Sequence, residues 1–175
     1  LKNRLLHQLM KAIFIIFLLS FSSGIAQTCV GGVIYESTIT QNETQLVLNG
    51  AGIKEKWFLD LYAGGLYLPV KSQEINEIIS CKCIQAFRIV IISSLISTKT
   101  FNDAIDLVFK NSTEGNSAHI DKRIKQLKTA FGKNLKKGNE LLMVYIPDVG
   151  LKVYRDGKYM DTILGFDFKK ETMKL

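Results

Sequence analysis

Histidine and cysteine are scarce in this 175-residue chain, two and three residues respectively, and each scarcity removes a class of chemistry. His7 falls in the N-terminal leader described below, which leaves His119 as the histidine of the remaining chain. One histidine beside a Cys81-x-Cys83 pair falls short of the ligand set a zinc site needs, so no metal is expected. Cys29, Cys81 and Cys83 make an odd count and imply no closed disulfide framework. On a strand, Cys81 and Cys83 would project to one face. Cys29 follows "AQT" and lacks the small preceding residue of a lipoprotein anchor.

Phosphate-binding loops are missing as well. "NGAGIK" (Asn49 to Lys54) has neither the glycine spacing nor the Lys-Ser/Thr end of a Walker loop. Glu55 stands where a dinucleotide loop would place its third glycine, and an apolar, aromatic run follows rather than a helix. His119 has no nucleophile-elbow motif nearby. Asp103 and Asp106, three apart on a helical pattern, read as a solvated face rather than a carboxylate pair. No cofactor is expected. The chain also lacks internal repeats, linkers and low-complexity stretches, and its length suits one domain.

What is present begins with a leader. Lys2, Arg4 and Lys11 precede a mostly apolar stretch from Ala12 to Phe21, and Gly24 and Ala26 supply small residues after it. This order predicts a secretory signal peptide over residues 1–26 and an exported domain over 27–175. The apolar stretch is about half the ~20 residues that a membrane-spanning helix needs. Met10 offers an alternative start. With the three leader cations set aside, 20 Lys and Arg face 16 Asp and Glu, so the formal net charge of +7 overstates any demand for an acidic partner. Lys122, Arg123, Lys125, Lys128, Lys133, Lys136 and Lys137 form a basic helix face and loop. Without interleaved aromatics this argues against nucleic acid, and it suits weak attraction to an anionic membrane surface.

The remaining pattern runs strands, helices, strands, which predicts an α+β fold. Val33 to Tyr35, Gln45 to Leu48 and Trp57 to Leu68 read as strands, the last with a bulge or close backbone approach at Gly64-Gly65. Asn49-Gly50 reads as a tight hairpin turn between the second and third. Ser72 to Ser80 reads as a short helix and Phe87 to Ile92 as a buried strand. Phe101, Ala104, Ile105, Val108 and Phe109 form one apolar helical stripe, with Thr100 and Asp103 as a capping pair. Ile120, Ile124, Leu127 and Phe131 form another, capped by Ser117 and stopped by Gly132. Leu141 to Ile146, Leu151 to Tyr154 and Tyr159 to Leu164 close the chain as an antiparallel meander turning at Pro147–Gly150 and Asp156-Gly157. Each helix has one apolar side, and the sheet is the surface available to bury it.

Taken together, "LNGAGIKEKWF", the aromatic strand ending "LYLP", "IISSLISTKTFNDAI" and "KKGNELLMVYIPDVGLKVYRDGKYMDTILGFDF" resemble the chalcone isomerase-like family of bacteria, over roughly Gly31 to Phe168. The resemblance implies a large antiparallel sheet with helices packed on one face and a ligand cleft between them. It implies three site positions: Lys54 at the family's ligand-anchoring arginine, Tyr62 at a strand threonine of the plant isomerases, and Phe101 at their tyrosine. It also implies a further helix beyond "GFDF", where this sequence ends at Leu175.

These departures choose among the family's activities. A lysine keeps the positive charge but gives up the bidentate fork of arginine. Phe101 has no hydroxyl, and losing one donor at a developing oxyanion typically costs about 10²–10³ in rate. The expectation is therefore an exported binder of a lipophilic anion such as a fatty acid, with Lys54 at the head group and Tyr62 and Phe101 along the apolar part. An intramolecular lyase acting on an enone-like substrate is the alternative. An envelope interaction protein using the basic helix face is the third reading.

Overall fold

A computed structural model describes residues 27–56 and 59–174; the leader expected over 1–26 lies outside them, as do Trp57 and Phe58. Along the chain run β1 (Thr28–Val30), β2 (Val33–Tyr35), β3 (Thr38–Gln41), β4 (Thr44–Lys56), β5 (Leu59–Leu68), α1 (Ile75–Ser80) and β6 (Gln85–Ile91). They are followed by α2 (Thr98–Ser112), α3 (Asp121–Phe131), β7 (Glu140–Ile146), β8 (Gly150–Arg155), β9 (Lys158–Ile163) and α4 (Phe166–Thr172). Strands β3 to β9 pair in sequence order into one curled, seven-stranded antiparallel sheet, and β1 and β2 form a separate hairpin.

Period-two alternation divides the sheet residues between two cores. On one face, Ile89, Ile91, Leu141, Met143, Leu151 and Val153 meet Phe101, Ile105 and Phe109 of α2, Ile124, Leu127 and Phe131 of α3, and Phe168 of α4. On the other, Leu46, Leu48, Ala63, Tyr67, Ala86 and Val144 are covered by Tyr35 and the partly buried Val30 and Val33 of the small hairpin. Helices therefore occupy one face, as the sequence pattern predicts, and the hairpin shields the other.

The helix ends follow their local chemistry. Ser97 caps α2: its Oγ accepts from Thr100 N–H, and Thr100 Oγ1 accepts from Ser97 N–H. The expected Thr100–Asp103 pair is thus displaced by three residues, and Asp103 instead pairs with Lys99. Gly132 ends α3 at a φ of 79°. Asp156 and Gly157, with φ of 49° and 76°, make the β8–β9 turn in the left-handed region that such a two-residue hairpin requires.

Two expectations need correction, and a third is narrowed. Asn49-Gly50 is not a hairpin turn: β4 runs straight through "NGAGIK" for 13 residues, with register shifts at Leu48/Gly50 and Lys54/Glu55. Of the two readings offered for Gly64-Gly65, the bulge is ruled out, since both pair regularly with β4 and β6, and the close backbone approach holds. Gly65 makes that approach, because a Cβ there would lie 2.5 Å from Cδ1 of the Tyr35 ring. Finally, a helix begins inside "GFDF", at Phe166, and runs to Thr172, where the resemblance implied one beyond that stretch.

Gly65→Ala is expected to destabilise the protein by about 1–3 kcal/mol, the usual cost of overpacking a filled site. The Tyr35 ring that would have to move is fully buried and sits 5.0 Å from the Arg88 guanidinium, so it has no free path aside. Equilibrium denaturant unfolding measures the loss; an unchanged midpoint would show that the ring yields freely.

Candidate functional site

The three site positions converge at one corner of the helix-covered face. Lys54 and Tyr62 are directly opposed across β4 and β5, so their side chains share a face of the sheet. Phe101, in the first turn of α2, is 4% exposed and meets Tyr62 edge-to-face with ring centroids 6.3 Å apart. On its other side it meets Phe131 of α3 at 5.7 Å. Lys54 is exposed. Among the described residues it takes part in no salt bridge.

Between sheet and helices lies a cavity of about 40 Å³ lined by Tyr62, Phe87, Ile89, Phe101, Ala104, Ile105, Val108, Leu127, Phe131 and Met143. The Tyr62 hydroxyl is the one oxygen or nitrogen that these side chains supply. Burial pushes that phenol above its ordinary pKa, which keeps it a protonated donor. The cavity is far smaller than the roughly 300–1,000 Å³ of pockets that enclose drug-sized ligands.

The room lies beside it, on β4. Gly50, Gly52 and Lys54 alternate on the face that carries Tyr62, paired with Leu66, Gly64 and Tyr62 in turn. Among the described residues, a Cβ added at Gly50 or Gly52 would meet nothing within 4 Å. A Cβ at Gly64 would lie 3.1 Å from Cζ of Phe87, which lines the cavity. Among the described residues, the two glycines therefore leave a bare lane of backbone that starts at Lys54 and runs along Tyr62, Gly64 and Leu66 of β5. On α2, Ala104 is exposed and Val108 half-buried, although the helical stripe would place both in the core.

The lane escaped sequence reasoning because Asn49-Gly50 reads as a turn. The signal that reveals it is the Gly50–Gly52–Lys54 alternation at period two, which belongs to a strand with one face stripped of side chains. Two further features were also missed. Cys81 and Cys83 are joined by a disulfide, in contrast to the open-ended reading of the odd cysteine count. Lys169 of α4 is fully buried, and its Nζ donates to the carbonyl oxygens of Ile78, Ile79 and Cys81 at 3.0 Å each.

Comparisons with known proteins agree with this architecture. The structure of a fatty-acid binding protein from Arabidopsis thaliana superimposes with a TM-score of 0.67, covering 86% of this chain and 88% of its own, at 13% sequence identity. That identity establishes a shared fold. No curated protein sequence matches this one. The profile of the chalcone isomerase-like family matches residues 27–175, and the chain belongs to that family.

Proposed function

We propose that this protein, exported by its N-terminal leader, binds a long-chain fatty acid or a similar lipophilic anion. Lys54 meets the carboxylate, and the chain lies along the glycine lane against Tyr62 and the edge of the Phe101 cavity. The observation that carries this reading is the lane itself. Exposed backbone at Gly50 and Gly52 lets an acyl chain approach a strand closely, between one cation and one aromatic wall. The fatty-acid binding protein of the same fold lends support. Among the described residues, the side chains at this corner that could donate to an enone's developing oxyanion are Lys54 and Tyr62, which favours binding over the isomerase reading.

Lys54→Ala is expected to weaken oleate binding about 10- to 100-fold, since hydrogen bonds to charged groups contribute about 1.5–3 kcal/mol. Titration of delipidated residues 27–175 with oleate measures this, and native mass spectrometry of freshly purified protein checks for a co-purified acid. Equal affinity in the two proteins would remove Lys54 from the site. A folded protein that neither retains nor takes up any acid would overturn the proposal.

A further inference from the structure

A second site is independent of the lipid cleft and shares no residue with it. Cys81 ends α1, Cys83 precedes β6, and the disulfide between them spans a sequence separation of 2 with Cα atoms 5.2 Å apart. A cross-link stabilises a fold mainly by restricting the unfolded chain, and the restriction grows with the loop it closes. A bond closing so short a loop adds little. The junction it spans is already held by other means, because Lys169 ties the carbonyls of Ile78, Ile79 and Cys81 to α4. The two sulfurs belong to neither hydrophobic core. Both cysteines are half-buried and Lys82 between them is exposed, so a thiol can reach the bond.

The surroundings distinguish the two sulfurs. Gln85 is 1% exposed, and its Nε2 is fixed by donation to Ile78 O at 2.9 Å. The same nitrogen donates to Cys83 Sγ at 3.7 Å. A donor on one sulfur stabilises the thiolate formed there and makes it the better leaving group. Lys82, between the two cysteines, places its Nζ over the Phe166 ring at 5.5 Å, so the distinction between the sulfurs rests on Gln85. Both cysteines also line a cleft of about 360 Å³ whose apolar wall is Leu68, Pro69, Val70 and Ile78. Val70 is 77% exposed at its rim. This is room for an aliphatic side chain immediately beside a reachable disulfide.

We propose that Cys81–Cys83 is a thiol–disulfide exchange centre that oxidises a cysteine pair in a partner polypeptide, seated by an apolar residue in this cleft. A partner thiolate attacks Cys81 Sγ and forms a mixed disulfide. The Cys81–Cys83 bond breaks, and its electron pair leaves on Cys83 Sγ, which then takes a proton. The partner's second thiolate attacks the partner sulfur of the mixed disulfide and expels Cys81 as thiolate, which is protonated in turn. The partner loses two electrons and two protons and becomes a disulfide; Cys81 and Cys83 become thiols. One turnover needs no other oxidant.

The test uses the oxidised protein with Cys29→Ser, so that only this pair reacts. It is mixed without oxygen with a reduced synthetic peptide carrying two cysteines beside a leucine, then quenched by alkylation for mass spectrometry. Equal amounts of oxidised peptide and of protein alkylated at Cys81 and Cys83 are expected, at least tenfold faster than from the oxidised peptide spanning Ser80 to Gln85 alone. Cys83→Ser should trap a mixed disulfide at Cys81 when given the oxidised peptide, and Cys81→Ser should trap at least tenfold more slowly. Val70→Glu, on an exposed residue, should slow the leucine peptide at least tenfold and leave reduction by dithiothreitol unchanged. The proposal is overturned if the cysteines alkylate only after denaturation, or if the folded protein is no faster than the isolated peptide. Insensitivity to Val70→Glu would overturn the assignment of the cleft.

Discussion

Gly52→Leu is expected to weaken oleate binding at least a hundredfold while leaving the protein as stable as before or slightly more so. Position 52 lies midway along the bare lane, with Gly64 opposite and, among the described residues, no atom within 4 Å of where a Cβ would stand. A side chain there has an open path at its first carbon, and it replaces a glycine that weakens a strand interior. Its four carbons would fill the space that an acyl chain would otherwise use. Excluding about four methylenes at about 0.8 kcal/mol each removes about 3 kcal/mol, which exceeds a hundredfold in affinity. Paired measurements of melting temperature and oleate affinity separate the lane from the fold. A variant that binds as tightly as the parent would place the acyl chain elsewhere, and the roughly 40 Å³ cavity behind Tyr62 and Phe101 would then have to open to take it.

How far the fold could be read from sequence depended on how local its causes were. The two long helices were legible because their apolar stripes are written within one element, although their caps fell elsewhere than expected, at Ser97 for α2 and at Ile120 rather than Ser117 for α3. Phe101, Ile105 and Phe109 of α2 are buried as their spacing demands. The β8–β9 hairpin was legible because Asp156-Gly157 suits left-handed backbone that few other pairs adopt readily. The long β4 strand was not. Asn49-Gly50 carries the local signature of a turn, and only the pairing of β4 with β3 on one side and β5 on the other overrides it. The lane was lost with the strand, since its meaning depends on which face the glycines occupy. Lys54, Tyr62 and Phe101 were named through family resemblance, and no spacing rule links residues on two strands and a helix. Equally non-local is the role of Lys169, whose three acceptors lie about 90 residues earlier, at the end of a helix of only six residues.

That lysine gives the largest pH effect expected of the fold. Burial pulls the Lys169 ammonium from 10.5 down to about 8, because a charge removed from water is disfavoured. Three carbonyls and the rings of Tyr145 and Phe166, each about 5.5 Å away, oppose that cost. Below about pH 8 both folded and unfolded chains are protonated here, and the folded state bears the whole penalty. Between about 8 and 10.5 the unfolded chain binds a proton that the folded chain has lost, so stability rises with pH. Tyrosines work in the opposite direction: burial pushes Tyr35 up to about 12, and Tyr145 above its ordinary value, so the folded state loses ground once the unfolded phenols ionise near 10. The clean window is therefore from pH 7 to about 9.5, and the clean quantity is the stability of the parent minus that of Lys169→Met. This difference is expected to rise by about 2 kcal/mol across the window, some 1.5 pKa units at about 1.4 kcal/mol each. Chemical denaturation at four or five pH values resolves it. A flat or falling difference would mean that the three carbonyls hold the ammonium as firmly as water does, and that α4 is pinned to α1 by a charge the fold accommodates without loss.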